Sequence, residues 1–71
     1  MESKQSNKLG IKIKSLRQKA GLSQDELARK SDVAYTTLTK IETGIIKSPS
    51  VFVVEKIAKA LKVSIEELIK L

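Results

Sequence analysis

Helix-starting and helix-stopping residues punctuate this chain so closely that no long regular element can form. Gly21 and Gly44 each follow an apolar segment and supply the left-handed backbone that closes a helix. Pro49 forbids a helix from passing through it. Ser23-Gln24-Asp25-Glu26 and Ser64-Ile65-Glu66-Glu67 both read as capping boxes, in which serine and glutamate satisfy each other's backbone amides. Between these marks apolar residues recur at helical spacing, five times in all. Strand signals are weak: alternation never persists, there are one Tyr and one Phe, and no Asn-Gly or Asp-Gly hairpin turn occurs. The expectation is an all-α, compact five-helix bundle with crossed packing, because helices this short cannot make a long coiled coil.

The first helix is predicted from about 7 to 20, with Leu9, Ile13, Leu16 and Ala20 on one face. The second starts at the Ser23 box, faces Leu27 and Ala28 inward and stops near Ser31. Asp25 and Glu26 suit its positive end. Asp32-Val33 reads as a tight turn. The third helix spans Tyr35 to Thr43 and buries Leu38 and Ile41, together with Val33 just before it. Ile45 to Pro49 is a loop. Ser50 caps a fourth helix with an apolar stripe of Val51, Val54, Ile57, Ala58 and Leu61. The second box opens a fifth, which buries Ile65, Leu68 and Ile69. Residues 1–6 are expected to be a flexible segment ahead of one domain over 7–71.

The chain has 71 residues, with no cysteine and no histidine. Thiol nucleophiles, imidazole bases and the usual zinc ligands are therefore missing together, so the reading is neither an enzyme nor a metal protein. No cofactor or small-molecule ligand is implied. Fourteen Lys and Arg against eight Asp and Glu give a net charge of +6, which favours polyanionic partners. Lys4, Lys8, Lys12, Lys14, Arg17 and Lys19 follow one another with no acid among them. Such a run is also compatible with a solvated helix face. No signal peptide is visible and no apolar run approaches the roughly 18 residues of a membrane span, so no membrane partner is expected and a cytoplasmic home is the default.

The informative unit runs from Gln24 to Glu42: a helix, a short turn and a second helix, the helix-turn-helix arrangement. Leu22-Ser23-Gln24-Asp25-Glu26-Leu27-Ala28, then Val33, then Leu38-Thr39-Lys40-Ile41-Glu42-Thr43-Gly44 resembles the phage-repressor and Cro-type family, also called the XRE type. Pro49-Ser50 and the stretch from Ile57 to Ser64 are similar to the fourth and fifth helices of that family. The resemblance implies a lambda-repressor-like DNA-binding domain whose third helix enters the major groove. It implies that Gln24 contacts a phosphate and braces the reading helix. It assigns Tyr35, Thr36, Thr37 and Lys40 to bases and the adjacent backbone, and Thr43 and Lys47 to phosphates. Arg17 and Glu42 match a charged pair that links the first helix to the end of the third.

Residue chemistry agrees with much of this. Burying Leu38 and Ile41 leaves Tyr35, Thr36, Thr39, Lys40 and Thr43 outward. Lysine can donate to guanine O6 and N7, and a threonine methyl can pack on a thymine methyl. Tyr35 can bond a phosphate or lie against a base. Lys14 and Lys47 add sequence-independent phosphate contacts. In an arbitrary protein the same threonines are ordinary surface; the motif around them gives them meaning. Several positions depart from the family pattern, among them Ile45 and Ile46, apolar in a loop that is often polar, and Phe52, off the inward stripe of the fourth helix. Asp32 and Lys62 stand where glycine is usual, and Ala34 stands where serine often caps the third helix.

The leading expectation is a sequence-specific transcription regulator, a repressor, that binds double-stranded DNA as a homodimer on half-sites about one helical turn apart. Ile45, Ile46, Phe52, Val53, Ile69 and Leu71 are the candidate apolar surface for pairing. The alternative is a protein-interaction module or antitoxin-like adaptor that uses the same fold.

Overall fold

The protein is described by a computed structural model covering residues 7–69. The segment 1–6 and Leu71 lie outside the described residues. Within them the chain forms α1 (Lys8–Lys19), α2 (Gln24–Ser31), α3 (Tyr35–Thr43), α4 (Val51–Leu61) and α5 (Ile65–Ile69). α1 packs on α3, α2 on both α3 and α4, and α5 bridges α4 and α1. The apolar centre is Ile13, Leu27, Leu38, Ile41, Ile57 and Leu68, all buried, with Ala28, Val33, Val54 and Ala58 around them.

Local chemistry sets the boundaries. At the start of α2 the Glu26 amide donates to Ser23 Oγ at 3.0 Å, and the Ser23 amide donates to a Glu26 carboxylate oxygen at 2.8 Å. The bond from the Ser23 backbone holds the Glu26 carboxyl below its ordinary value, helped by the Ser23 hydroxyl and by Arg29 and Lys30. Ser50 caps α4 by accepting from the Val53 amide at 3.2 Å. At α5 only half of the expected box forms. The Glu67 amide donates to Ser64 Oγ at 3.1 Å, but the Glu67 carboxylate turns to Lys12, 4.0 Å away.

Three helices close in the same way. The amides of Leu22, Val33 and Val63 reach back to the carbonyls of Arg17, Ala28 and Ala58 at 3.1, 3.0 and 3.0 Å. Each follows a residue with positive φ: Gly21 at 75°, Asp32 at 58° and Lys62 at 61°. This closure satisfies the last carbonyls of the helix and turns the next, apolar residue onto the core. Asp32 and Lys62 thus adopt the backbone that glycine would adopt without strain.

Several burial expectations are corrected. On α1 the buried face runs through Gly10, Ile13 and Arg17, with Leu9 and Leu16 at its edge. Ala20 is exposed, because the chain is already leaving the helix there. Val51 is 60% exposed, since it is the first residue of α4 and the stripe buries only from Val54 on. Ile69 is 52% exposed at the last residue of α5. Ile46 is packed against the core instead of lying at the surface, because its amide bonds back to Lys40 O at 3.0 Å after the Gly44 turn. Val53 is likewise packed on the core. Ile45 and Phe52 remain exposed, as expected.

Gly10 permits the α1–α3 crossing. A Cβ there would run into Ile41 O, lie 2.7 Å from Asn7 Oδ1 and 3.0 Å from Glu42 O. The backbone carbonyls at the end of α3 cannot give way as a flexible side chain can. Gly10→Ala is therefore expected to destabilise the domain by about 1–3 kcal/mol, despite alanine's better helix propensity. Lys62→Gly should do the opposite, relieving left-handed strain and adding about 0.5–1 kcal/mol against glycine's entropy cost. Thermal melts of both variants check the pair; a rise in midpoint for Gly10→Ala, or a fall for Lys62→Gly, contradicts the respective account.

Candidate nucleic-acid interface

The candidate interface is the outer side of α3. At about 3.6 residues per turn, Leu38, Ile41 and Glu42 occupy the buried side. Thr36, Lys40 and Thr43, at i, i+4 and i+7, then form one row on the opposite side, and all three are exposed. Tyr35 and Thr39 flank the row on one edge and Thr37 flanks it on the other. Of the expected base-reading residues, Thr36 and Lys40 lie in the central row. Tyr35 is 49% exposed beside it, and Thr37 is half-buried at its edge. A cleft of about 360 Å³ lies between Tyr35 and the Asp25–Arg29 ion pair.

The threonine hydroxyls differ in what they can still do. Thr39 Oγ donates to Thr36 O at 2.9 Å, and Thr43 Oγ donates to Thr39 O at 2.9 Å. Those two protons are committed to the helix itself. For Thr43 to donate to a phosphate, its hydroxyl has to leave Thr39 O, a small change at an exposed position. Lys14 and Lys47 are both exposed. Lys14 lies one turn from both Gly10 and Arg17, on the edge of α1 that meets α3.

Behind the interface sits a polar cluster. Arg17 Nε donates to Glu42 Oε2 at 2.8 Å and Nη2 to Oε1 at 3.2 Å, while Nη1 donates to Leu22 O at 2.9 Å. Gln24 Nε2 donates to Glu42 Oε1 at 3.0 Å. The Arg17 and Glu42 side chains are only 10% and 2% exposed. The cluster joins α1, the turn after it, the start of α2 and the end of α3. It brings Arg17, Glu42 and Gln24 together through direct hydrogen bonds. Gln24 keeps one amide hydrogen and its carbonyl oxygen for an outside partner.

A family model described as helix-turn-helix matches residues 13–68. The chain belongs to the helix-turn-helix family. It is 38% identical over 61 residues to the HTH-type transcriptional regulator SinR of Bacillus subtilis (strain 168), covering 86% of this chain and 55% of SinR. It is 44% identical over 59 residues to an uncharacterized HTH-type transcriptional regulator of Mycobacterium tuberculosis (strain ATCC 25618 / H37Rv), covering 83% of this chain and 41% of that protein. The chain thus spans about half the length of these relatives. A solved complex of SinR with SinI matches with a TM-score of 0.85 at 37% identity, over 87% of this chain and 60% of that one. A crystal structure of SinR, the master regulator for biofilm formation, in complex with DNA matches with the same TM-score and identity, over 98% of that chain. The helix-turn-helix match reaches from Ile13 in α1 to Leu68 in α5, so the expected all-α, five-helix architecture holds.

Gly10 was missing from the sequence-derived site, and Thr39 was read as outward but given no contact of its own. Gly10 sets how closely α1 approaches the end of α3; its burial has no local sequence signal. Thr39 lies next to Lys40 with its hydroxyl fixed inward, and only the hydrogen bond reveals that.

The cluster yields an energetic test. Removing Arg17 strands a buried carboxylate, so Arg17→Ala should cost about 3–5 kcal/mol. Replacing both partners, as in Arg17→Met with Glu42→Leu, should recover most of that loss, because the pair's net contribution is small. Urea denaturation of the single and double variants measures it. A double variant no more stable than Arg17→Ala would contradict the account.

Proposed function

We propose that this chain is a sequence-specific regulator of transcription that binds double-stranded DNA with α3 in the major groove, and that it acts as a repressor in the cytoplasm. The observation that carries this reading is the row of Thr36, Lys40 and Thr43, presented outward by a helix whose far end is tied into the Arg17–Glu42 cluster. The match to SinR in complex with DNA supports it. In this reading Tyr35, Thr36, Thr37 and Lys40 meet bases, and Gln24, Thr43, Lys47 and Lys14 meet phosphates. Lys40 donates to guanine and the lysines outside the row neutralise backbone charge. The chain's lack of histidine and cysteine fits a binding role without enzymatic chemistry. Among the described residues no helix is long and apolar enough to cross a membrane.

One module offers few base contacts, so pairing on two half-sites about one helical turn apart raises affinity and specificity together. Ile45 and Phe52, each 72% exposed, and Ile69, 52% exposed, are the expected pairing residues that stay uncovered among the described residues, and Val51 joins them. A second reading is a protein-interaction module with DNA secondary. The SinR–SinI complex among the matched structures favours it, as do these same apolar residues. A protein partner that masks Tyr35 and Lys40 would be its mark.

A selection from random duplexes, followed by salt titration on the selected site, tests the leading reading. Affinity should fall steeply with salt. Lys40→Ala should relax preference at particular base pairs, by about 1–3 kcal/mol at each. Lys47→Ala should weaken all sequences alike and reduce the salt slope by about 1. The same uniform loss for both variants would overturn the division into reading and positioning residues. A flat salt response would overturn DNA binding itself.

A further inference from the structure

We propose that Thr39 determines sequence specificity through its methyl group, reading a thymine beside the base pair that Lys40 contacts. This rests on the DNA-binding reading above and adds a residue and a base to it.

Three observations converge on Thr39. Helical geometry places it at the edge of the outward row, next to Lys40 in sequence and one turn from Tyr35 and Thr43. Its Oγ donates to Thr36 O at 2.9 Å, so the hydroxyl proton is engaged by the helix and the methyl is what this half-buried side chain has left for a partner. Its own carbonyl accepts from Thr43 Oγ at 2.9 Å, one turn further along the helix. The bond to Thr36 O favours one rotamer of Thr39 before any partner arrives. A rigid methyl needs no ordering on contact, and its natural complement in the major groove is the C5-methyl group of thymine. Thr36 and Thr37 have no internal side-chain hydrogen bond among the described residues, so their hydroxyls can turn to either donor or acceptor groups. Of the threonines on this helix, Thr39 thus combines a fixed orientation with a place beside the one cation of the outward row.

The test separates methyl from hydroxyl on both partners. On the duplex obtained from random selection, each thymine of a half-site is replaced in turn by uracil, which keeps the pairing and lacks the methyl. Wild-type protein should lose about fourfold in affinity at one thymine, the effect of uncovering one buried methyl. Thr39→Ser keeps the hydroxyl and removes the methyl. It should bind the thymine duplex about fourfold more weakly and no longer distinguish uracil at that position. Thr39→Val keeps a methyl at the same place and should retain the discrimination. Thermal melts confirm that the variants are folded. Wild-type binding that is indifferent to every uracil overturns the proposal, as does a Thr39→Ser variant that still discriminates. In both cases strong, salt-dependent binding to the selected duplex leaves the DNA-binding reading standing. Failure to bind any duplex overturns the two together.

Discussion

The buried ion pair between Arg17 and Glu42 decides how the helix-turn-helix unit sits on the rest of the molecule. Its carboxylate receives three hydrogen bonds, two from Arg17 and one from Gln24, and the guanidinium also holds Leu22 O. Taking two charges out of water is expensive, and only this saturation makes the burial tolerable. Among the described residues no buried side-chain polar atom lacks a partner. The net stabilisation from such a pair is small, so stability alone does not explain its use. Apolar surfaces tolerate sliding, whereas these bonds hold only in one geometry. The pair therefore sets the angle and depth of α3 against α1 and α2 more sharply than the core does.

The positioning of α3 is correspondingly lopsided. Its first turn has no side-chain cap, because Ala34 offers none. Its start rests on what precedes it: the left-handed Asp32, and Val33 pinned to Ala28 O and pressed into the core. Its end is held by Glu42, by the Gly44 turn and by the bond from Ile46 to Lys40 O. Lys40 lies near that end, so its backbone is fixed while its side chain is exposed. Tyr35 and Thr36 lie at the looser end, where amides without protein partners can adjust to a ligand. A helix anchored this way keeps Lys40 in register and leaves its first turn adaptable.

What could be read from the sequence follows the range of each interaction. The helices were readable because their signals are local: the Ser23 box, Gly21, Gly44, Pro49 and Ser50 act within a turn of where they stand. The Arg17–Glu42 pair was expected only through family resemblance, since nothing in 25 residues of separation announces a contact. Gly10 was overlooked because its need for glycine arises from carbonyls of another helix. The fate of Ile45 and Ile46 was also out of reach. Composition cannot tell two adjacent isoleucines apart, yet one backbone bond after Gly44 turns Ile46 into the core and leaves Ile45 in solvent. The base-reading and phosphate-contacting assignments concern a partner, and only their placement relative to one another can be read from the fold.

Charge deserves less weight in this reading than the net +6 suggests. Within the basic run of α1, Arg17 is neutralised inside the polar cluster and Lys12 lies 4.0 Å from Glu67. Arg29 and Lys56 are engaged with Asp25 and Asp32. The outward row of α3 itself carries a single cation, Lys40, between two threonines. In the proposed complex with DNA, phosphate attraction is indifferent to sequence, so discrimination on this face would come from one lysine and from the side chains around it. Small, rigid side chains suit that task, because a misplaced methyl or hydroxyl is excluded by shape while a long charged chain can bend to a wrong base. In that complex the burden of specificity would fall on the threonines of α3, and the orientation of their hydroxyls, fixed or free, is the property that distinguishes one from another.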